Sequence, residues 1–201
     1  MDSIFSGLLP TVAEDTRDFR TISAILRRFP RGFVTTLARA NCTVRPLARG
    51  ERYDEASPEL ERLGIDCDLW PAPPAGLFVV QERTVYLRSR SAMTVAHECA
   101  HALDCALGNG VYRSGIDTAW RRCFLGAKQF ITPYAATGID EFAAENFRAY
   151  VEINDPASHW PKATRGRLKA IDPATYELVE RTFAEIAENA DRVEQMELVL
   201  R

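Results

Sequence analysis

Hydrophobic residues recur at helical spacing along most of the chain. Between Thr16 and Arg28 the apolar residues fall on one helical face, and Pro30 prevents this helix from continuing. The same spacing predicts a short helix after Phe33 and four later helices, over residues 117–127, 140–151, 160–170 and 173–189. The pattern is typical of a mainly helical protein.

Three short stretches have the composition of β-strands. One lies around Cys42–Leu47, and two β-rich runs, 77–80 and 84–87, are separated by three residues and predict a hairpin. Residues 49–63 are charged and irregular, and the proline-rich segment 70–76 prevents regular structure. Residues 1–13 are predicted to form a flexible arm. We therefore expect one α+β domain over residues 1–201, mainly helical, with a small sheet preceding the helix around residue 97.

Composition narrows the class of protein. The net charge of −3 argues against a general nucleic-acid binder, and no apolar stretch approaches the length of a membrane span. The first residues lack the basic segment and apolar run of a Sec-type signal peptide. Five cysteines without regular spacing do not form a disulfide framework. These features predict a cytoplasmic protein, or one exported by a route without such a signal.

The most informative motif is His97-Glu98-Cys99-Ala100-His101, in a helix predicted to begin after Ser91 and to end at Gly108. Residues four apart lie on one helical face, so His97 and His101 can bind one metal ion. Glu98 lies beside them and can reach a water molecule on that metal. A zinc ion lowers the pKa of its bound water, and a carboxylate can then accept the proton.

A catalytic zinc ion usually has three protein ligands, and two histidines supply only two. His159 is the only other histidine in the sequence, and no histidine follows His101 within ten residues. A carboxylate on a second helix is the better candidate for the third ligand. Glu141 and Glu145 are one turn apart, so one could bind zinc while the other orients a ligand histidine. A solvated acidic helix face explains the same spacing and remains the alternative.

Two motifs together resemble a known family. His-Glu-x-x-His-Ala-Leu-Asp (residues 97–104) and Tyr-x-x-Thr-x-x-x-Glu-Phe-x-Ala-Glu-x-Phe (residues 134–147) look like the catalytic domain of anthrax lethal factor and the related Pro-Pro endopeptidases. The resemblance is clear from about residue 76 to residue 150 and weak in the first 70 residues. It implies a zincin-like metallopeptidase fold and a site with the following assignments. The zinc ligands are His97, His101 and Glu141; Glu98 is the general base; Tyr134 stabilises the oxyanion; Glu145 is an acceptor behind the ligands.

Asp104 matches the acidic residue that follows the second histidine in this family. Two roles for it are open: it could support the metal ligands from behind, or it could be structural. Ala100 replaces a common glycine, and Cys99 replaces a common aromatic residue. Alanine favours helix, so the first change leaves the expected site intact.

The function expected from these residues is zinc-dependent hydrolysis of a protein or peptide substrate. The substrate would lie extended along the edge strand of the hairpin, for which Thr84–Leu87 is the preferred candidate. Two alternatives remain open. One is a zinc amidohydrolase acting on a small non-peptide amide, and the other is a toxin-like or regulatory binding protein with a structural zinc ion.

Overall fold

A computed structural model describes residues 2–159 and 162–199, in which helices surround a small sheet. The three strands are β1 (Thr43–Pro46), β2 (Gly76–Val79) and β3 (Thr84–Leu87). The helices are α1 (Asp2–Leu8), α2 (Arg17–Leu26), α3 (Phe33–Arg39), α4 (Tyr53–Ala56), α5 (Pro58–Leu63), α6 (Ala92–Leu107), α7 (Arg113–Ile116), α8 (Thr118–Gly126), α9 (Ile139–Tyr150), α10 (Arg165–Ile171) and α11 (Pro173–Val199). The mainly helical α+β class predicted from the sequence is confirmed, whereas the single domain over residues 1–201 stays a prediction.

The sheet has the strand order β1-β3-β2, which places β3 in the middle. Strand β3 pairs in parallel with β1 and antiparallel with β2, so Val85 lies opposite both Val44 and Phe78. The expectation that Thr84–Leu87 is an edge strand is therefore wrong. The hairpin pattern could not reveal this, because it does not specify which of its two strands a third strand joins. The hairpin strand with an open edge is β2.

Two helices, α6 and α9, form the centre of the core. Every residue of α6 from Val95 to Cys105 is buried, and so is every residue of α9 from Phe142 to Tyr150. A helix that is buried on all sides cannot show a strong amphipathic pattern, and polar residues on it must find partners within the protein. Helices α2, α3 and α11 contact these two helices or each other around the core.

Residues 2–9 do not form the flexible arm predicted for residues 1–13. Helix α1 buries Phe5, Leu8 and Leu9 in the main core, and the Arg27 guanidinium lies 4.5 Å from the centre of the Phe5 ring. These apolar residues are too few to give a clear periodic pattern. Burying them removes their side chains from water, which stabilises the folded chain and orders this segment.

Other boundaries also differ from the prediction. The charged stretch 49–63 contains the short helices α4 and α5, and Ser57 caps α5 by accepting a hydrogen bond from the Leu60 amide. The helix expected over 160–170 covers Arg165–Ile171; residues 160 and 161 lie outside the described residues. Helix α11 continues ten residues beyond the expected end, to Val199. Within the described residues, no helix is both long and apolar enough to cross a membrane.

Candidate metal centre

Helix α6 holds both histidines of the motif. Its first turn is capped by Ser91, whose hydroxyl accepts a hydrogen bond from the Thr94 amide. His97 and His101 lie one turn apart, both are buried, and their Nε2 atoms are 3.1 Å from each other. His159, by contrast, is exposed and does not join this cluster.

Helix α9 brings a carboxylate to the two rings. The Oε2 atom of Glu141 lies 3.0 Å from Nε2 of His97 and 3.2 Å from Nε2 of His101. A tetrahedral zinc ion with bonds of about 2.0–2.1 Å would separate its ligand atoms by about 3.3 Å. The three donor atoms thus converge at nearly the spacing that zinc requires, and these residues fit the metal ion that the motif implies.

A hydrogen bond orients the ring of His97. Its Nδ1 atom lies 2.9 Å from Oε1 of Glu145. A neutral ring that donates this proton to Glu145 presents a lone pair on Nε2 toward Glu141 and His101, as a metal ligand must. In the described residues, Nδ1 of His101 is buried and has no hydrogen-bond partner.

The charges around His97 favour a cation. Burial lowers the pKa of His97, but hydrogen bonds with Glu141 and Glu145 outweigh burial and raise this pKa to about 10. Burial raises the pKa values of both glutamates, yet their bonds to the histidines hold these pKa values well below the usual range. A divalent metal ion would supply the same positive charge and displace the proton from His97.

Glu98 faces a cleft of about 210 Å³ that His97 and Tyr134 also line. Burial raises the pKa of its carboxyl group, while His97 and His101 lower it. Gly76, at the start of β2, also lines this cleft. A Cβ atom at Gly76 would lie 2.5 Å from Cγ of Glu98, so only glycine lets the strand approach this closely. The sequence analysis missed Gly76, because only its position in space reveals its importance.

We expect Gly76→Ala to displace Glu98 and to lower any hydrolytic rate that depends on this carboxylate by at least about tenfold. The new methyl group would also lie 2.9 Å from Cγ2 of Thr94. It would therefore clash with two side chains of α6, and a movement of Glu98 alone would not relieve both contacts. Zinc content and rate should be measured together. Gly166→Ala is the matched control, because a Cβ atom there meets nothing within 4 Å. A Gly76→Ala protein with the wild-type rate would contradict this role.

The open edge of β2 lies along the same cleft. The Arg88 amide donates to the Ala75 carbonyl, which makes these two residues a hydrogen-bonded pair of the antiparallel ladder. Because such pairs alternate, the backbone groups of Gly76 and Phe78 point away from β3. The Phe78 amide lies near the Glu98 carboxylate and lowers the pKa of this group. The outward backbone groups of Gly76 therefore lie next to both the base and the cleft.

Tyr134 lies at the rim of the metal cluster. Its hydroxyl donates a 2.9 Å hydrogen bond to Oε1 of Glu141, and its ring centre lies 5.4 Å from that of His97. Burial raises the pKa of Tyr134, and Glu141 raises it further, so the phenol keeps its proton. The side chain is thus a hydrogen-bond donor beside the ligands, at the position given by the motif.

A buried arginine supports the cluster from behind, and the sequence analysis missed it. Arg148 is 1% exposed and binds Glu145 through two hydrogen bonds of 2.8 Å. A third guanidinium nitrogen donates to Ile153 and Asn154, and the Thr132 hydroxyl donates to Glu145. The only sequence signal was an arginine three residues after Glu145, inside an apolar run of α9.

Asp104 does not contact the ligand atoms. Its carboxylate accepts hydrogen bonds from the amide and the hydroxyl of Ser114 and so ties α6 to α7. Burial raises the pKa of Asp104 to about 6, although both bonds from Ser114 lower it. The observed contacts are structural, and a supporting role behind the ligands stays a prediction.

Asp104 should make the free energy of unfolding depend on pH. Because its pKa is raised in the folded chain, its contribution to stability is complete below about pH 4 and is lost as pH rises through about 6. We expect Asp104→Asn to remove this loss of about 3 kcal/mol. Denaturant titrations of the wild type and Asp104→Asn from pH 4 to 7 measure the difference between their free energies of unfolding. A constant difference across this range would contradict the prediction.

One other acidic group could hold a cation by distance alone. Asp54, Asp66 and Asp68 approach one another, but Arg52 pairs with Asp54 and Asp66, and Arg88 pairs with Asp68. These two arginines offset most of the negative charge of the three carboxylates. Of the described residues, the two histidines and Glu141 are therefore the better metal ligands.

The fold is that of a known peptidase. No family model matches this chain, and no curated protein sequence matches it. Among solved structures, the chain is similar to the Pro-Pro endopeptidase PPEP-2 from Paenibacillus alvei, with a TM-score of 0.62. The match covers 89% of this chain and 99% of that chain, at 21% sequence identity. This chain therefore has a PPEP-like fold, as the two sequence motifs predicted.

Proposed function

We propose that this chain is a zinc-dependent endopeptidase with His97, His101 and Glu141 as its metal ligands. The observation that carries the proposal is the convergence of three donor atoms beside a buried glutamate, Glu98. The similarity in fold to a Pro-Pro endopeptidase supports it. A structural zinc site would need neither the base nor the phenol, and this argues against a purely binding function.

Bound zinc would supply a water molecule of lowered pKa and would polarise the scissile carbonyl. Glu98 accepts the proton of the attacking water and transfers it to the leaving nitrogen. Its raised pKa suits both steps, because the carboxyl group must gain and lose a proton near neutral pH. The Tyr134 hydroxyl leaves Glu141 and donates a hydrogen bond to the developing oxyanion. Glu145 holds the ring of His97 in place throughout.

The open edge of β2 favours a peptide over a small amide as substrate. An extended chain could add to this edge and bond to the outward backbone groups of Gly76, which places its carbonyl groups along the cleft. This replaces Thr84–Leu87 as the proposed partner strand, since β3 is paired on both sides. A small amide would have no use for such an edge.

A peptide-library digest, with zinc analysis of the same preparation, tests the proposal. We expect about one zinc ion per chain and cleavage products that disappear after chelation and return with added zinc. Cleavage of small amides without cleavage of peptides would favour the amidohydrolase alternative. A preparation with neither zinc nor cleavage would refute the proposal.

Replacing Tyr134 with phenylalanine should slow the chemical step. Loss of one oxyanion donor typically lowers kcat by about 10²–10³-fold, and KM should change little because the ring remains. Zinc content should stay at the wild-type value. Tyr176→Phe is the control, since its hydroxyl bonds to Glu180 on α11 and not to the cluster. An unchanged kcat for Tyr134→Phe would remove the phenol from the mechanism.

A further inference from the structure

A second cavity, of about 430 Å³, lies at the C-terminal end of α6. Its walls come from α3, the turn between β2 and β3, the end of α6, and α11, and it shares no lining residue with the metal cleft. The buried thiols Cys42 and Cys105 contribute to its lining. This volume is within the range of small-molecule sites in proteins.

The cavity is lined by positive charge without acidic residues. Arg39, Arg83 and Arg192 contribute to its walls, and none of its lining residues in the described chain is an aspartate or glutamate. Within the described ranges, Arg39 and Arg83 form no ion pair, and Arg192 reaches Glu188 only at 3.6 Å. Since acidic residues outnumber basic ones in the whole sequence, 28 to 25, this grouping runs against the average charge.

Arg83 is held in place by the backbone. It occupies a left-handed conformation, with φ of 51°, in the turn between β2 and β3. One terminal nitrogen, Nη1, donates a 2.9 Å hydrogen bond to the Ala40 carbonyl. The other, Nη2, lies beside Gly110, where a Cβ atom would approach it to 3.3 Å. The guanidinium is thus oriented in advance, and Nη2 keeps its hydrogens for another acceptor.

Two backbone carbonyls of the lining residues already accept hydrogen bonds from other backbone amides. At the end of α6, the Cys105 carbonyl accepts from the Gly110 amide at 3.0 Å, and the Ala106 carbonyl accepts from the Asn109 amide at 3.3 Å. The polar side chains that complete the lining are neutral, namely Thr36, Asn109 and Asn189. The cavity therefore offers hydrogen-bond donors and positive charge, and the carbonyls of Ala40, Cys105 and Ala106 in its lining already accept hydrogen bonds.

We propose that this cavity binds a small polyvalent oxyanion of the oligophosphate class. Planar guanidinium groups bind phosphate oxygens through paired hydrogen bonds, and several of them around one cavity suit an anion with more than one phosphate. Such a ligand would join α3, α6 and α11 and would stabilise the folded chain by binding it in preference to the unfolded chain.

Titration calorimetry and thermal unfolding of the full chain with inorganic pyrophosphate test this site. We expect binding of one pyrophosphate per chain and a rise in Tm that potassium chloride of equal ionic strength does not produce. The double variant Arg39→Gln/Arg83→Gln should bind at least about tenfold more weakly. Pyrophosphate also chelates zinc and can give a signal at the metal centre. The double variant keeps all three metal ligands, so its signal measures this contribution.

Three further comparisons define the ligand and the residues. Arg167→Gln, an exposed arginine on α10, should bind as wild type does. Arg83→Lys should restore part of the affinity that Arg83→Gln loses, which a purely structural role of Arg83 would not predict. Citrate binding as tightly as pyrophosphate would overturn the oligophosphate class. No binding beyond the chloride effect, or equal binding by the double variant, would overturn the site itself.

Discussion

Glu98→Gln is expected to lose peptide cleavage by about 10²–10⁴-fold while it keeps a full complement of zinc. Glutamine has the shape of glutamate but cannot accept a proton from the attacking water. None of the three metal ligands changes. Steady-state rates on a cleaved peptide, combined with metal analysis of the same samples, measure both quantities.

Stability separates this loss from misfolding. Burial raises the pKa of Glu98, so the folded chain carries a cost for its charge, which a neutral amide removes. The Tm of Glu98→Gln should therefore be equal to or higher than that of the wild type. Glu61→Gln is the control, because Glu61 is exposed on α5. If Glu98→Gln cleaved at the wild-type rate, the proposed base would be wrong.

Arg148→Met is expected to destabilise the folded chain by about 3–5 kcal/mol. The substitution leaves Glu145 with a buried negative charge and removes the donor to the Ile153 carbonyl. For a chain of this length, the Tm should fall by roughly 6–20 °C. Urea denaturation of the zinc-free proteins measures the free energy of unfolding without a contribution from the metal.

A second substitution tests the cause. Adding Glu145→Gln to Arg148→Met removes the buried charge that has lost its arginine, so the double variant should recover a large part of the lost stability. Zinc should still bind about 10–100-fold more weakly than in the wild type, because the amide orients His97 less firmly. Arg148→Met within about 1 kcal/mol of the wild type would show that the buried pair contributes little.

The local features of the fold could be predicted from the sequence. The features that depend on contacts between distant parts of the chain could not. Helix α2 follows from the spacing of its apolar residues, the start of α6 from its cap at Ser91, and the hairpin from its β-rich runs. Pairing of β1 with β3 depends on a crossover of about 37 residues, which leaves no local pattern. The ordering of α1 depends on a core that other elements create.

The candidate site divides in the same way. His97 and His101 are two of only three histidines and lie at a fixed spacing, so the sequence alone indicated them, whereas the choice of Glu141 over Glu145 depended on the family resemblance. Residues that position them have common side chains, and only their neighbours in space identify them. Gly76 is one, through its approach to Glu98, and Arg148 is another, through its pair with Glu145.

An open strand edge can pair with a second copy of the same chain as readily as with a peptide, and this is a route to aggregation. Three of the four residues 71–74, just before β2, are prolines, which lack an amide hydrogen, and most of this segment is exposed. Residues 71–74 therefore cannot extend the edge of β2 with a continuous row of amide donors. The proline-rich segment thus limits pairing between copies of the chain along the residues that precede β2.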